Sequence, residues 1–221
     1  MKDILAQIVP TLRSLGFKGS GQNYRKTTRD AVLIVNFQKS SGGDRFYVNL
    51  GAQLLFVPTE SGGEADPKSI KEYECIFRRR LDPPEGMHGW PYEMTAEMVE
   101  EFNTKLSSSY KDYLSPLSQV PGPITELTPE QFRNQGAQSI LGGVHPKNAL
   151  NFARIAFARG DLKRAKSFAV MGLADCPPFA SGLRAMLKRV LSATEPGAES
   201  NIKPAAQSGD PSITDAPPPF N

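Results

Sequence analysis

Two histidines, two cysteines and one tryptophan are all that the 221 residues supply of these types. No apolar run is long enough to cross a bilayer either. Each scarcity removes a class of function. Cys75 and Cys176 lie far apart and form no CxxC pair, so neither a disulfide framework nor a cysteine-rich zinc site is supported. Both are expected to be reduced, largely buried thiols. His88 stands in a loop before Gly89-Trp90, and His145 precedes Pro146 at a helix start. Neither has a second histidine or a carboxylate at metal-ligand spacing, so both read as loop residues. Gly42-Gly43 and Gly142-Gly143 lack the lysine and spacing of a phosphate-binding loop. There is no Gly-x-Ser-x-Gly elbow, and Ser40 and Ser41 have no identified base. No catalytic residue, metal or cofactor is assigned.

An excess of charge of one sign is lacking too. The 26 basic and 23 acidic residues leave a net charge of +3. A nucleic-acid partner is disfavoured, because phosphate neutralisation calls for a stronger excess or a basic stripe. The opening Met1-Lys2-Asp3-Ile4-Leu5 is amphipathic, with Pro10 and Arg13 soon after, and has no apolar core or small-residue cleavage site of a signal peptide. The expectation is a cytoplasmic protein with no membrane association.

What is present reads as an α+β fold. Ile4, Leu5, Ile8, Val9, Leu12 and Leu15 form one helical stripe over residues 2 to 15, with Gly16 as the C-terminal cap and Phe17 as anchor. Pro10 is expected to kink or divide this helix. Residues 22 to 27 read as a polar edge strand, Thr28-Arg29-Asp30 as a hairpin turn, and 31 to 39 as a strand rich in β-branched residues. A glycine loop then leads to a long strand over 45 to 57, closed by Pro58. There Phe46, Val48, Leu50, Ala52, Leu54 and Phe56 share one face and Tyr47, Asn49, Gly51 and Gln53 the other. Residues 72 to 81 suggest a fourth strand. Short connections favour an antiparallel sheet of about four strands, covered by the opening helix.

Residues 82 to 93 form an irregular segment holding Trp90. A helix follows from Thr95, on the stripe Met98, Phe102, Leu106, Tyr110, Tyr113, Leu114 and Leu117. Further helices are expected from Thr128-Pro129, over 146 to 159, over 162 to 174, and from after Pro177-Pro178 to Ser192. From Glu195 onward the composition cannot offset ordering entropy. The domain reading is a sheet domain over 1–120, a helical extension over 121–193 and a disordered tail over 194–221.

The strand block carries a family pattern. Leu15-Gly16-Phe17-Lys18, Asn36-Phe37-Gln38-Lys39-Ser40, Phe46-Tyr47-Val48-Asn49-Leu50-Gly51 and Glu74-Cys75-Ile76-Phe77-Arg78-Arg79-Arg80-Leu81 occur in that order. This resembles the bacterial domain-of-unknown-function family 4304 over roughly residues 1–115. The resemblance implies an α+β domain and no particular activity. A weaker likeness, to a single tetratricopeptide-type helical hairpin, covers 149 to 177. Small Ala153, Ala156 and Ala165 allow close approach there, Gly160-Asp161 turns the chain, Gly172-Leu173 forms a small-then-large pair, and Pro177 ends the unit. A lone unit needs a neighbour, so it is expected to pack on the strand domain.

The polar set on the strands is the candidate site. Asn36 and Gln38 share one face of their strand; Tyr47, Asn49 and Gln53 share one face of the next; Arg78 and Arg80 share one face of the fourth. Either these are the solvent side of a covered sheet, or the faces coincide as a concave surface whose arginine forks take carboxylate or phosphate. Alternation sends Arg79 to the opposite face and divides the basic run. The leading functional reading is a non-catalytic protein-binding module, such as a toxin-neutralising immunity protein or an adaptor, with a protein partner at Tyr47, Trp90 and the arginines. An enzyme or ligand-binding protein using the Asn/Gln/Arg face is the alternative, and nucleic-acid binding the third.

Overall fold

The computed structural model describes residues 2–134 and 144–195. The Gly142-Gly143 pair and residues 196–221 of the expected tail lie outside the described residues. Of that tail, Thr194 closes the last helix through a 2.7 Å bond to the Leu191 carbonyl, and Glu195 pairs with Lys166 at 2.8 Å.

Helix α1 spans Lys2–Ser14 without interruption at Pro10. Pro10 and Ala6, whose carbonyl loses its donor, are both exposed, so that carbonyl sits on the wet side of the helix. Ile4, Leu5, Ile8 and Leu12 are buried on the other side. The helix ends in a Schellman motif. Gly16 takes φ +86°, its N–H donates to Arg13 and the Phe17 N–H reaches the Leu12 carbonyl.

Among the described residues six strands follow in one antiparallel sheet, two more than the sequence suggests. They are β1 (Lys18–Ser20), β2 (Asn23–Thr27), β3 (Ala31–Lys39), β4 (Arg45–Leu54), β5 (Phe77–Arg80) and β6 (Trp90–Pro91). The order is β1-β2-β3-β4-β5, with β6 also on β4. The free edge of β4 is thus shared along its length: Asn49 to Ala52 pair with β5, Arg45 and Phe46 with β6. Three expectations are corrected. β2 is not an edge, because β1 pairs with it; β1 is three exposed residues without an apolar pattern. β4 ends at Leu54, three residues early. Residues 72 to 81 divide into a 3-10 turn, Glu72–Glu74, and the short strand β5.

One face of the sheet carries the main core. Leu33, Val35, Phe37, Phe46, Val48, Leu50, Ala52 and Leu54 meet α1 and α2 (Ala96–Ser109) there. Thr95 caps α2 by accepting from the Met98 N–H. A π turn over Tyr110–Leu114 inserts an extra residue and leads into α3 (Ser115–Leu117), keeping Tyr113, Leu114 and Leu117 inward. The opposite face is covered only in part. The segment after β4 folds back over it, and Val32, Ile34, Ile70 and Cys75 form a small second core. That double cover explains the unbroken apolar run Ala31–Val35.

The helical half comprises α4 (Pro129–Arg133), α5 (Pro146–Ala158), α6 (Leu162–Asp175) and α7 (Ser181–Ala193). A Thr128–Gln131 capping box starts α4. The His145 ring caps α5 by accepting from the Lys147 N–H at 3.2 Å. Gly160, at φ +79°, turns α5 into α6. Ala149, Ala153, Ala156 and Ala165 are buried between the helices. This half packs on the sheet: the buried Asn151 amide donates to the Ile76 carbonyl at 3.0 Å, and Phe152 contacts Phe77 at 6.2 Å between ring centroids.

Candidate functional site

The site lies where the cover over the second face ends. Two hairpins and the returning strand β5 set the register: Asn23 faces Asn36 across β2–β3, Asn36 faces Asn49 across β3–β4, and Asn49 faces Arg80 across β4–β5. Three asparagines and an arginine therefore form one row across four strands, and the row is hydrogen-bonded end to end. Arg80 Nε donates to Asn49 Oδ1 at 3.3 Å, Asn49 Nδ2 to Asn36 Oδ1 at 3.2 Å, and Asn36 Nδ2 to Asn23 Oδ1 at 2.9 Å. Asn49 Nδ2 also reaches Gln38 Oε1 at 3.0 Å. An apolar residue in this row would break the chain of donors and acceptors.

Above the row is an open cleft of about 490 Å³, lined by Asn23, Asn36, Gln38, Asn49, Arg78 and Arg80 from the sheet and by Lys71, Glu72 and Tyr73 from the covering segment. Arg78 Nε bonds Glu72 Oε1 at 3.1 Å and so ties β5 to the 3-10 turn. Arg80 lies over the Tyr47 ring, its guanidinium carbon 4.2 Å from the centroid. Tyr73 stands at the rim with 61% of its surface exposed.

Of the expected site residues, Asn36, Gln38, Asn49, Arg78 and Arg80 come together in the cleft. Tyr47 supports Arg80 from beside it. Two are corrected. Gln53 is fully buried; its amide donates to the carbonyls of Leu54 and Val57 at 2.8 and 2.9 Å and its oxygen accepts from the Ile76 N–H at 3.1 Å. It joins the end of β4 to the start of β5 rather than facing a partner. Trp90 is fully buried as well, edge-on to Phe102 at 4.7 Å, with Nε1 donating to the Leu81 carbonyl. Pairing of β6 with Phe46 turns the indole inward. Asn23, Lys71, Glu72 and Tyr73 were not legible as site residues. Asn23 shares the alternation of its strand, but its place beside Asn36 depends on register. The other three arrive on a loop.

Arg79 turns to the opposite face, its guanidinium 5.7 Å from the Tyr113 ring centroid, as alternation requires. Burial, reinforced by the Glu72 charge, pushes the Cys75 thiol up to about 12. It lies below the cleft against Gly51, where an added Cβ would sit 3.0 Å from the sulfur. A neutral, enclosed thiol there fills space and does not act as a nucleophile. His88 is exposed. Among the described residues no group of His, Cys, Asp and Glu is placed to hold a metal ion, and no helix is long and apolar enough to cross a membrane.

A family comparison matches residues 8–119, just over half of the chain, to the family described as Domain of unknown function (DUF4304). The chain belongs to that family. The DUF4304 match takes in α1 from Ile8, the whole sheet and α2, and therefore every residue lining the cleft. Comparison with curated proteins and with solved structures gave no match.

Proposed function

We propose that this DUF4304 member is a non-catalytic module that holds a protein partner on the polar face of its sheet. The observation carrying this reading is the row Asn23–Asn36–Asn49–Arg80, ordered by its own hydrogen bonds yet open to solvent along the cleft. A preorganised polar surface loses little side-chain entropy on binding. Arginine and an exposed tyrosine at its rim are the residue types that carry binding energy at protein interfaces. An immunity protein that occupies a toxin, or an adaptor, needs such a face, and either role places the chain in the bacterial cytoplasm.

The test is retention of partners on tagged full-length protein from its native host, read by mass spectrometry, with folded Arg80→Ala and Arg79→Ala variants in parallel. The reading requires one dominant protein, retained by Arg79→Ala and lost by Arg80→Ala. Recovery of a small molecule instead moves the assignment to a ligand-binding protein or enzyme. Recovery of nucleic acid moves it to the third class.

A further inference from the structure

The amides on the floor of the cleft have a fixed orientation, and that narrows what it can hold. A guanidinium carries donors only. Because Arg80 Nε donates to Asn49 Oδ1, the Asn49 NH2 must face the other way, where it serves the oxygens of both Asn36 and Gln38. The Asn36 NH2 is turned in the same sense toward the Asn23 oxygen. Arg80 thus orients the row from one end, and the Gln22 carbonyl, accepting from Asn36 Nδ2 at 3.5 Å, supports the same orientation from the other. Donors are left at its margins: the NH2 groups of Gln38 and Asn23, which make no hydrogen bond among the described residues, and the Nη atoms of Arg80; the one anionic acceptor of the lining, Glu72, is turned to Arg78.

Charge points the same way. The lining holds three cations, Lys71, Arg78 and Arg80, against one carboxylate, Glu72. Glu72 is already held by Arg78 at 3.1 Å, while Arg80 has no carboxylate partner among the described residues. A planar carboxylate matches the fork of Arg80 and can accept from Gln38 beside it. Phosphate fits less well. Its sites draw on backbone N–H groups at helix N-termini or nests, whereas strand side chains form this floor, and a dianion would sit near the Glu72 charge.

We infer that the cleft is a carboxylate-recognition site for an acidic side chain of a polypeptide, with Arg80 as the fork, Gln38 and Asn23 as flanking donors, and Tyr73 against the peptide chain. This rests on the protein-binding reading above and names the chemistry the partner presents.

The probe is acetyl-triglutamate amide, added to full-length protein while the side-chain NH2 signals of Gln38 and Asn23 and the Nε–H of Arg80 are followed by NMR. Acetyl-triglutamine amide and inorganic phosphate serve as comparisons. Saturable shifts with the glutamate peptide are expected, and about ten-fold weaker binding in Arg80→Gln and Arg80→Lys, since lysine keeps the charge but not the fork. Backbone signals of both variants report whether the fold is retained. An equal response to triglutamine, a stronger one to phosphate, or binding unchanged in Arg80→Lys overturns the inference. Peptide binding as expected, with no protein captured from the host, upholds the carboxylate site and sinks the protein-partner reading. Capture of a partner that depends on Arg80, with no response to the peptide, does the reverse.

Discussion

Arg80 Nε donates to Asn49 Oδ1 at 3.3 Å, and from this contact a line of amides, supported at Asn36 by the Gln22 carbonyl, reaches across four strands to Asn23. Asparagine amides in isolation can present either end. Here a residue that can only donate stands at one end of the row and removes the choice.

Asn49 is the residue through which that order passes. Asn49→Asp puts an oxygen where an NH2 serves both Asn36 and Gln38. Two acceptors then confront a third, at a cost of about 1–3 kcal/mol. A lower urea midpoint is expected, together with loss of partner capture, since Arg80 gains an internal carboxylate. An unchanged midpoint would show that the row is not ordered as described.

Gln53 separates stability from binding. Gln53→Leu leaves the Ile76 N–H and the Val57 carbonyl without their side-chain partner, and the Leu54 carbonyl with the Val57 N–H alone. The expected loss is about 2–3 kcal/mol, measured by urea unfolding. Partner affinity per folded molecule should not change, because the residue does not reach the cleft.

Two glycines of the helical half differ in what they tolerate. A Cβ on Gly172 would stand 2.8 Å from Leu187 Cδ2 and 3.1 Å from Ala149 Cβ, so Gly172→Val overpacks the junction of α5, α6 and α7. A loss of about 1–3 kcal/mol is expected. Gly160 has open space around it but a φ of +79°, so Gly160→Ala should cost about 1–2 kcal/mol from backbone strain alone. Thermal unfolding of the two variants, with a second substitution at Leu187→Ala, distinguishes the causes: only the Gly172 penalty should shrink.

Stability should fall in alkali. The folded protein keeps the proton on Cys75 up to about pH 12, whereas the unfolded chain releases it near 9.0. Between those values the native state binds more protons than the unfolded state, so the contribution is intact below pH 9 and declines as pH rises, by about 1.4 kcal/mol per pH unit. Burial also raises the Tyr113 hydroxyl and adds to the decline above pH 10. Urea midpoints measured from pH 8 to 10 should drop in the parent and drop less in Cys75→Ala. The thiol should resist iodoacetamide until the protein unfolds.

Elements with strong local chemistry were legible in full. The strand 31–39 has the bounds of β3, because a β-branched run between a polar turn and a glycine loop admits little else. The Gly16 cap, the Thr128 cap and the Gly160 turn fell where their residue types demand. β1 and β6 were missed because three exposed residues and two residues carry no periodicity. The start of 72–81 was misread because alternation in Glu72-Tyr73-Glu74 suits a strand, while the return over β3 and β4 tightens it into a 3-10 turn. Trp90 was placed on the surface because a loop rich in proline and glycine gives no sign that two of its residues close the sheet beside Phe46.

By itself, then, the sequence determined the class of fold, the two faces of β3 and β4, and which polar residues point away from the main core. Those are properties of period two and of single turns, and they act over a few residues. Only the tertiary structure decided that Asn23, Asn36, Asn49 and Arg80 fall in one row, that Gln53 on the same face is roofed over, and that Glu72 arrives to hold Arg78. Register depends on how each hairpin closes, and cover depends on where a loop distant in the chain returns, and neither is written in the spacing of neighbouring residues.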